Sequence, residues 1–233
     1  ITSGRVSYAL GTQGPCLTLD TACSAALAAV HVASASLCRE EAVHALSSGV
    51  NMVISPVTSS RFAMAGMTSP RGRCHTFDRG ADGYGRSEAC CSSVLSIGRG
   101  MSISIAGSSV RQDGRSASLT APSGQAQAAL LTSSLANSCS DACNHRLGEA
   151  HGTGTGLGDP IETSSLASAL LAARGKDAIV MALGGVKANI GHAEPTAGLT
   201  GLVKLATALD GSLATPNAQL RVLNPHVHSA LRA

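Results

Sequence analysis

The sequence predicts an α/β fold, and three observations carry that expectation. Segments that read as strands alternate along the chain with segments that read as helices. The 233 residues include two phenylalanines, two tyrosines and no tryptophan, so the core has to be built from Ala, Val, Leu and Ile. Small side chains suit helices packed closely on strands that are covered on both faces. With 44% hydrophobic and 13% charged residues, the chain has the composition of a folded domain rather than a disordered one.

In chain order, residues 16–21 read as a short buried strand and residues 24–37 as a helix of small side chains. Residues 45–54 look like a strand interrupted by one glycine, and 61–67 like a short helical turn. Two strands are expected at 92–97 and 102–110. Residues 124–135 contain Ala, Gln and Leu with no breaker after Gly124, and read as a helix. The helix at 160–173 has the clearest start, with Asp159 placed as N-cap and Pro160 at the first helical position, where a missing N–H costs nothing. A buried strand at 179–183 and a second small-residue helix at 198–209 complete the pattern.

Several functions are excluded by composition. The net charge of +3 is weak, no basic run occurs, and four aromatic rings cannot make a stacking platform, so nucleic acid is not an expected partner. The uncharged stretches 23–38 and 42–60 are too short, or too broken by Ser, Gly and Pro, to span a membrane. Residues 1–10 lack the basic start and cleavage pattern of a signal peptide. The eight cysteines show no compact disulfide framework, which points to a reducing, cytoplasmic compartment.

Three segments could carry chemistry. Cys23 lies in Asp20-Thr21-Ala22-Cys23-Ser24, where a strand is expected to end and a helix to begin. A thiol there meets unpaired backbone N–H groups and the positive end of the helix dipole, which favour the thiolate. The plainer reading is one more small buried thiol. His151 precedes Gly152, Gly154, Gly156 and Gly158, a loop whose backbone could approach a ligand closely, or a simple turn before a helix. It fits neither the dinucleotide fingerprint nor the Walker A pattern. Lys187, His192 and Glu194 follow the strand at 179–183 and could form a polar network at the end of a sheet, or be a surface Lys and a satisfied core His. The run Cys139, Cys143, His145 lacks a second ligand pair at zinc spacing, so no metal is expected. Cys90 and Cys91 should point to opposite faces of a strand.

Together and in this order, the three motifs resemble those of the β-ketoacyl synthases, a family of condensing enzymes. Cys23 falls in a motif like DTACSxxL, His151 in one like EAHGTGTxxGDPIE, and His192 in one like VKxNIGHxE. The segment 1–14, the block from Gly66 through Cys74, Phe77 and Asp78 to Tyr84, and the block Gln112 to Pro122 also look like the family. The last block, with Gly156 to Glu162, looks more like modular or multidomain polyketide synthases than stand-alone fatty-acid synthases, so the resemblance implies polyketide, or else fatty acid, biosynthesis. The resemblance implies a thiolase-like layered αβαβα fold, here incomplete at both ends. It places the nucleophile in an N-terminal half, residues 1–110, and both histidines in a C-terminal half, residues 111–233. It implies a homodimer that works with an acyl carrier protein and the other domains of a synthase, with no cofactor bound directly and substrates carried on phosphopantetheine.

The roles implied follow residue by residue. Cys23 takes the acyl chain as a thioester. His151 and His192 stabilise the enolate formed when a malonyl-type extender loses carbon dioxide. Lys187 and Glu194 hold the protonation and orientation of the histidines, and Thr153 and Thr155 bind the pantetheine arm. Two other readings are kept: a truncated, inactive copy, and a Cys/His acyltransferase that forms no carbon–carbon bond. The chain departs from the family pattern at Arg86-Ser87-Glu88-Ala89, where RGEG is usual and a tight turn is expected to change. It also departs between Val94 and Val110, which is several residues short, and in the segment 137–147.

Overall fold

The computed structural model describes residues 1–98, 103–171 and 180–232. Close approach between small side chains governs how its first part packs. Helix α1 (Thr2–Leu10) buries no residue, and an irregular segment leads from it to helix α2 (Ala25–Cys38). Strand β1 (His44–Asn51) pairs antiparallel with β2 (Ala89–Ser96), from His44 opposite Ser96 to Asn51 opposite Ala89. The inner face of β1 carries Ser47, Gly49 and Asn51. A Cβ on Gly49 would lie 3.3 Å from the Cβ of Ala26 and 3.1 Å from Thr196 Oγ1, so α2 rests on that face with little room for anything larger. Helix α7 (Ala197–Asp210) packs beside α2. Its Leu199 is fully buried against Ala26 and Val30, with Cys91, Leu95 and Leu202 around them. Burial of a leucine of this kind stabilises by about 1.5–3 kcal/mol.

The second part is built around helix α4 (Gly124–Ser138) and helix α5 (Gly158–Leu166), the latter running into a π-helical turn at Ala167–Leu171. Ser123 caps α4, its Oγ accepting from Ala126 N at 3.2 Å. Strands β3 (Leu147–Glu149) and β4 (Ala182–Gly184) pair in parallel. Leu166, Leu170 and Ala142 form a core with Leu131, Leu135, Met181 and Leu183. Helix α6 (Lys187–Ile190) and a 3₁₀ turn (Glu194–Thr196) carry the chain from β4 into α7. Between β1 and β2 in the chain, helix α3 (Pro56–Met64) is capped by Ser55 and begins on Pro56. The final helix, α8 (Pro225–Ala230), buries Val227 against Phe77 and Ala150. No described helix is long and apolar enough to cross a membrane.

Most expected elements are present with shifted ends, and four expectations need correction. Residues 16–20 form no regular structure and no ladder; in this stretch only Thr21 and Cys23 share an isolated bridge, with no neighbouring strand paired to it among the described residues. The strand expected at 102–110 begins on a residue outside the described set, and residues 103–110 form no strand. The strand at 179–183 likewise begins outside it; Val180 is 88% exposed, and β4 is a half-buried strand of three residues. Helix α5 starts at Gly158, so Asp159 and Pro160 are its second and third residues rather than cap and first residue. The carboxylate of Asp159 is occupied instead by the amides of Phe77 and Gly154. The turn expected at 61–67 is the end of α3, and α1 is not among the expected elements. Residues 172 and 173 of the expected long helix lie outside the described residues.

Candidate active site

Cys23 sits one residue before the N-cap of α2, half-buried, on a turn held by its own short side chains. Asp20 Oδ1 accepts from Ala22 N at 3.1 Å, and Ser24 Oγ donates to Thr21 O at 2.9 Å. Ala22 has φ 53°, a left-handed conformation that a residue with a Cβ adopts at a cost of about 1–2 kcal/mol. That kink turns the incoming segment into the helix, and Cys23 follows it at the N-terminal end of α2.

The glycine loop is shaped by Thr76, which is fully buried. Thr76 Oγ1 donates to Gly152 O at 2.6 Å. Gly152 has φ 49°, and a Cβ there would lie 2.6 Å from Thr76 Cγ2; Gly154 has φ 77°, and a Cβ there would lie 2.7 Å from His75 N. Asp159, 1% exposed, accepts from Phe77 N at 2.8 Å and Gly154 N at 3.1 Å, which ties α5 to both segments. Glu162 accepts from His151 N and from Gly152 N at 2.8 Å. Its burial raises the carboxyl pKa, opposed by those two amides. His151 is thereby held through its backbone at the exit of β3.

Lys187 is 3% exposed and donates to His151 O at 2.5 Å. Burial lowers its pKa, while the charge of Glu162 works in the opposite direction. Its contact with His151 therefore runs through the main chain rather than the imidazole. His192, 4% exposed, is held on both sides of its backbone by Gly85 O at 2.7 Å and Ser87 N at 3.0 Å. Its Nδ1 accepts from Glu194 N at 2.9 Å. Tyr84 stacks edge-on against the ring, with centroids 4.8 Å apart. The carboxylate of Glu194 does not reach either imidazole: both oxygens are taken by Arg86. The expected support of His192 by Glu194 thus comes from the backbone amide. Thr153 and Thr155 are half-buried on the loop, their hydroxyls 3.3 Å apart, and Thr155 Oγ1 accepts from Gly158 N at 3.1 Å.

These segments bring Cys23, His151 and His192 together, with the sulfur and one nitrogen of each ring within 4.8 Å of one another. The two imidazoles are near-perpendicular, at 88°, with centroids 5.6 Å apart. Burial, then the charge of Lys187, lowers the His192 pKa from 6.5 to about 3. His151 lies at the open side of the cluster; desolvation of its ring, then the charges of Lys187 and His192, lower its pKa as well. Both rings are therefore neutral near pH 7. Because His192 Nδ1 accepts a hydrogen bond, its proton is on Nε2, which is a donor. The spacing could be bridged by a thiophilic metal ion, but a protonated Nε2 offers no lone pair, and Lys187 places a positive charge beside it. The arrangement suits a nucleophilic sulfur facing two neutral N–H donors.

Sequence pattern alone does not single out Thr76, Tyr84, Arg86, Asp159 or Glu162 as parts of the site. Glu162 closes the motif that begins with His151, and that placement is the one local signal for it. The tight turn expected to change at Ser87 and Ala89 is an extended segment that bridges to His192 and runs into β2, with no positive φ at either residue. Among the described residues, the three groups that could jointly hold an ion are those of this same cluster.

Residues 1–97 match the family described as beta-ketoacyl synthase, N-terminal domain, and residues 103–221 match its C-terminal domain. The chain is 42% identical to a phenolphthiocerol/phthiocerol polyketide synthase of Mycobacterium tuberculosis over 235 aligned positions, covering 98% of this chain and 11% of that protein. A second phenolphthiocerol/phthiocerol polyketide synthase protein from the same organism is 41% identical, with 99% of this chain and 15% of the relative covered. The chain thus spans a small part of the curated relatives it matches. Among solved structures, the ketosynthase from module 6 of the bacillaene synthase of Bacillus subtilis superposes with a TM-score of 0.93 at 32% identity, over 97% of this chain and 41% of that one. An oxazolomycin ketosynthase domain from Streptomyces albus gives 0.92 at 31% identity, over 97% and 40%. These neighbours place the layered α/β arrangement within the thiolase-like fold.

Proposed function

Because this chain belongs to the β-ketoacyl synthase family, we propose that it carries the ketosynthase step of a modular polyketide synthase: acyl transfer to Cys23, then decarboxylative condensation with a malonyl-type extender. The observation that supports this most is the convergence of one thiol and two neutral imidazoles within 4.8 Å. In the first half-reaction the Cys23 sulfur attacks a carrier-bound thioester carbonyl, and the carrier thiol leaves with the proton. In the second, the extender carboxylate departs as carbon dioxide, and its electron pair becomes an enolate on the thioester oxygen. Neutral N–H donors of His151 and His192 stabilise that oxygen. The enolate carbon then attacks the Cys23 acyl carbonyl, a carbon–carbon bond forms, and the Cys23 sulfur is released.

Lys187 and Glu162 serve in this reading as the two side chains that fix the His151 backbone, and the Glu194 amide fixes His192. Thr153 and Thr155 offer hydroxyls to the pantetheine arm. The partners proposed are an acyl carrier protein, the remaining domains of a synthase and a second copy of the chain. All eight cysteines are unpaired, and Cys23 has to stay a thiol to react, which fits a reducing cytoplasmic setting.

The test is acyl labelling followed by decarboxylation. Incubation with an acyl thioester should place one acyl group on Cys23, seen by intact mass, and none on Cys23→Ala. Carbon dioxide release from malonyl-carrier protein should fall about 10²–10³-fold in His192→Ala. Release unchanged in that variant would refute the role given to His192, whereas acylation of Cys23 with no release from the wild-type protein would leave acyl transfer without condensation as the surviving reading.

A further inference from the structure

We infer that Arg86 is a positioning residue for His192: it holds Glu194 in a left-handed turn, so that the Glu194 amide keeps the His192 proton on Nε2. This deepens the ketosynthase reading by naming what sets the tautomer of one donor. Glu194 has φ 44°, a conformation that side chains other than glycine avoid. In that conformation its N–H is directed at His192 Nδ1, 2.9 Å away. Something outside the turn has to maintain it, and Arg86 is placed to do so. Its Nε and Nη2 grip the two Glu194 carboxylate oxygens as a fork, Nη2 at 3.1 Å. The pair is largely shielded from solvent, with 10% and 19% of the two side chains exposed.

Arg86 is itself anchored at its far side. Its Nη1 donates to Ser59 Oγ at 2.6 Å, and its guanidinium lies 5.1 Å above the Phe62 ring, both on α3. Its backbone bridges to His192, with Ser87 N donating to His192 O. One side chain therefore connects α3, the segment entering β2, and the turn that presents His192. A planar fork can hold a carboxylate in one orientation; an ammonium cannot. Both carboxylate oxygens are turned to the guanidinium, and the Glu194 contact with the ring is made by the amide.

The measurement is the nitrogen NMR of histidine in protein labelled with ¹⁵N, on wild type, Arg86→Met and Arg86→Lys. Wild type should show His192 with a pyridine-like Nδ1 and a protonated Nε2. Arg86→Met should show a mixed tautomer, and decarboxylation of malonyl-carrier protein should fall about tenfold with Cys23 acylation unchanged. Arg86→Lys, which keeps the charge and loses the fork, should lie between. The inference is overturned if Arg86→Met retains the wild-type nitrogen pattern and rate. It is also overturned if acylation falls in step with decarboxylation in both variants, which is the result of a purely structural role. The nitrogen signals decide the point even if the wild-type protein releases no carbon dioxide; that outcome would refute the ketosynthase reading separately.

Discussion

His192 shows how burial can select a chemical role. A histidine in water is half protonated near pH 6.5; this one, shielded and beside Lys187, is held neutral down to about pH 3. Decarboxylation should therefore show no inflection near pH 6.5, and a loss of rate centred there would mean that a histidine titrates in the ordinary range. The same shift affects stability, and its sign follows from linkage. Below pH 6.5 the unfolded chain binds a proton at His192 that the folded chain refuses until about pH 3. Folding is therefore weakened on acidification through that window, by up to about 1.4 kcal/mol per pH unit for this residue. Urea unfolding of His192→Gln should lack that part of the slope. Comparing the variant with wild type removes the opposite contribution of Glu162 and Asp159, whose pKa values are raised by burial. Identical slopes in the two proteins would contradict the assignment.

At the scale of elements, the loop from His151 to Gly158 depends on where a Cβ can be accommodated. At Gly154 a Cβ meets backbone nitrogen at 2.7 Å with φ 77°, whereas at Gly156 the nearest atom is Ala81 O at 3.8 Å. Gly154→Ala should destabilise by more than about 2 kcal/mol, and Gly156→Ala by less than about 1 kcal/mol, as read from urea midpoints. Equal costs would show that the loop does not wrap His75 and Thr76. This contrast also marks the limit of what can be read from the chain. The alternating glycines are visible in it, and so are α2, α4 and α7, because runs of Ala, Leu and Ser with a cap such as Ser123 are local signals. What distinguishes Gly154 from Gly156 is a segment far earlier in the chain, and no local pattern encodes it. The same holds for Asp159, whose cap-like position before Pro160 is legible but whose carboxylate serves Phe77 N and Gly154 N. Residues 16–20 fail as a strand for a related reason: β propensity is local, and only a neighbouring strand makes a ladder. Arg86 stands in a segment marked by its missing glycines, and its bonds to Glu194 and Ser59 need the fold.

For the whole molecule, α7 is the element that unites the parts, packing on α2 and β2 on one side and on β3 on the other. It begins just past His192 and Glu194, so the helix that closes the core around Ala26 and Val30 also fixes one wall of the site. Leu46, Val50 and Val94 on the outer face of β1 and β2 are exposed, and the two solved ketosynthases extend well beyond the matched region, this chain covering about two fifths of each. The central claim concerns carbon–carbon bond formation at Cys23. Its most direct test is mass spectrometry of the carrier protein after the acyl-loaded enzyme meets malonyl-carrier protein. The account predicts a carrier-bound β-ketoacyl chain carrying the acyl group, with carbon dioxide released in equal amount and neither formed by Cys23→Ala. An acyl group that leaves Cys23 only to water, with malonyl-carrier protein unchanged, would contradict it.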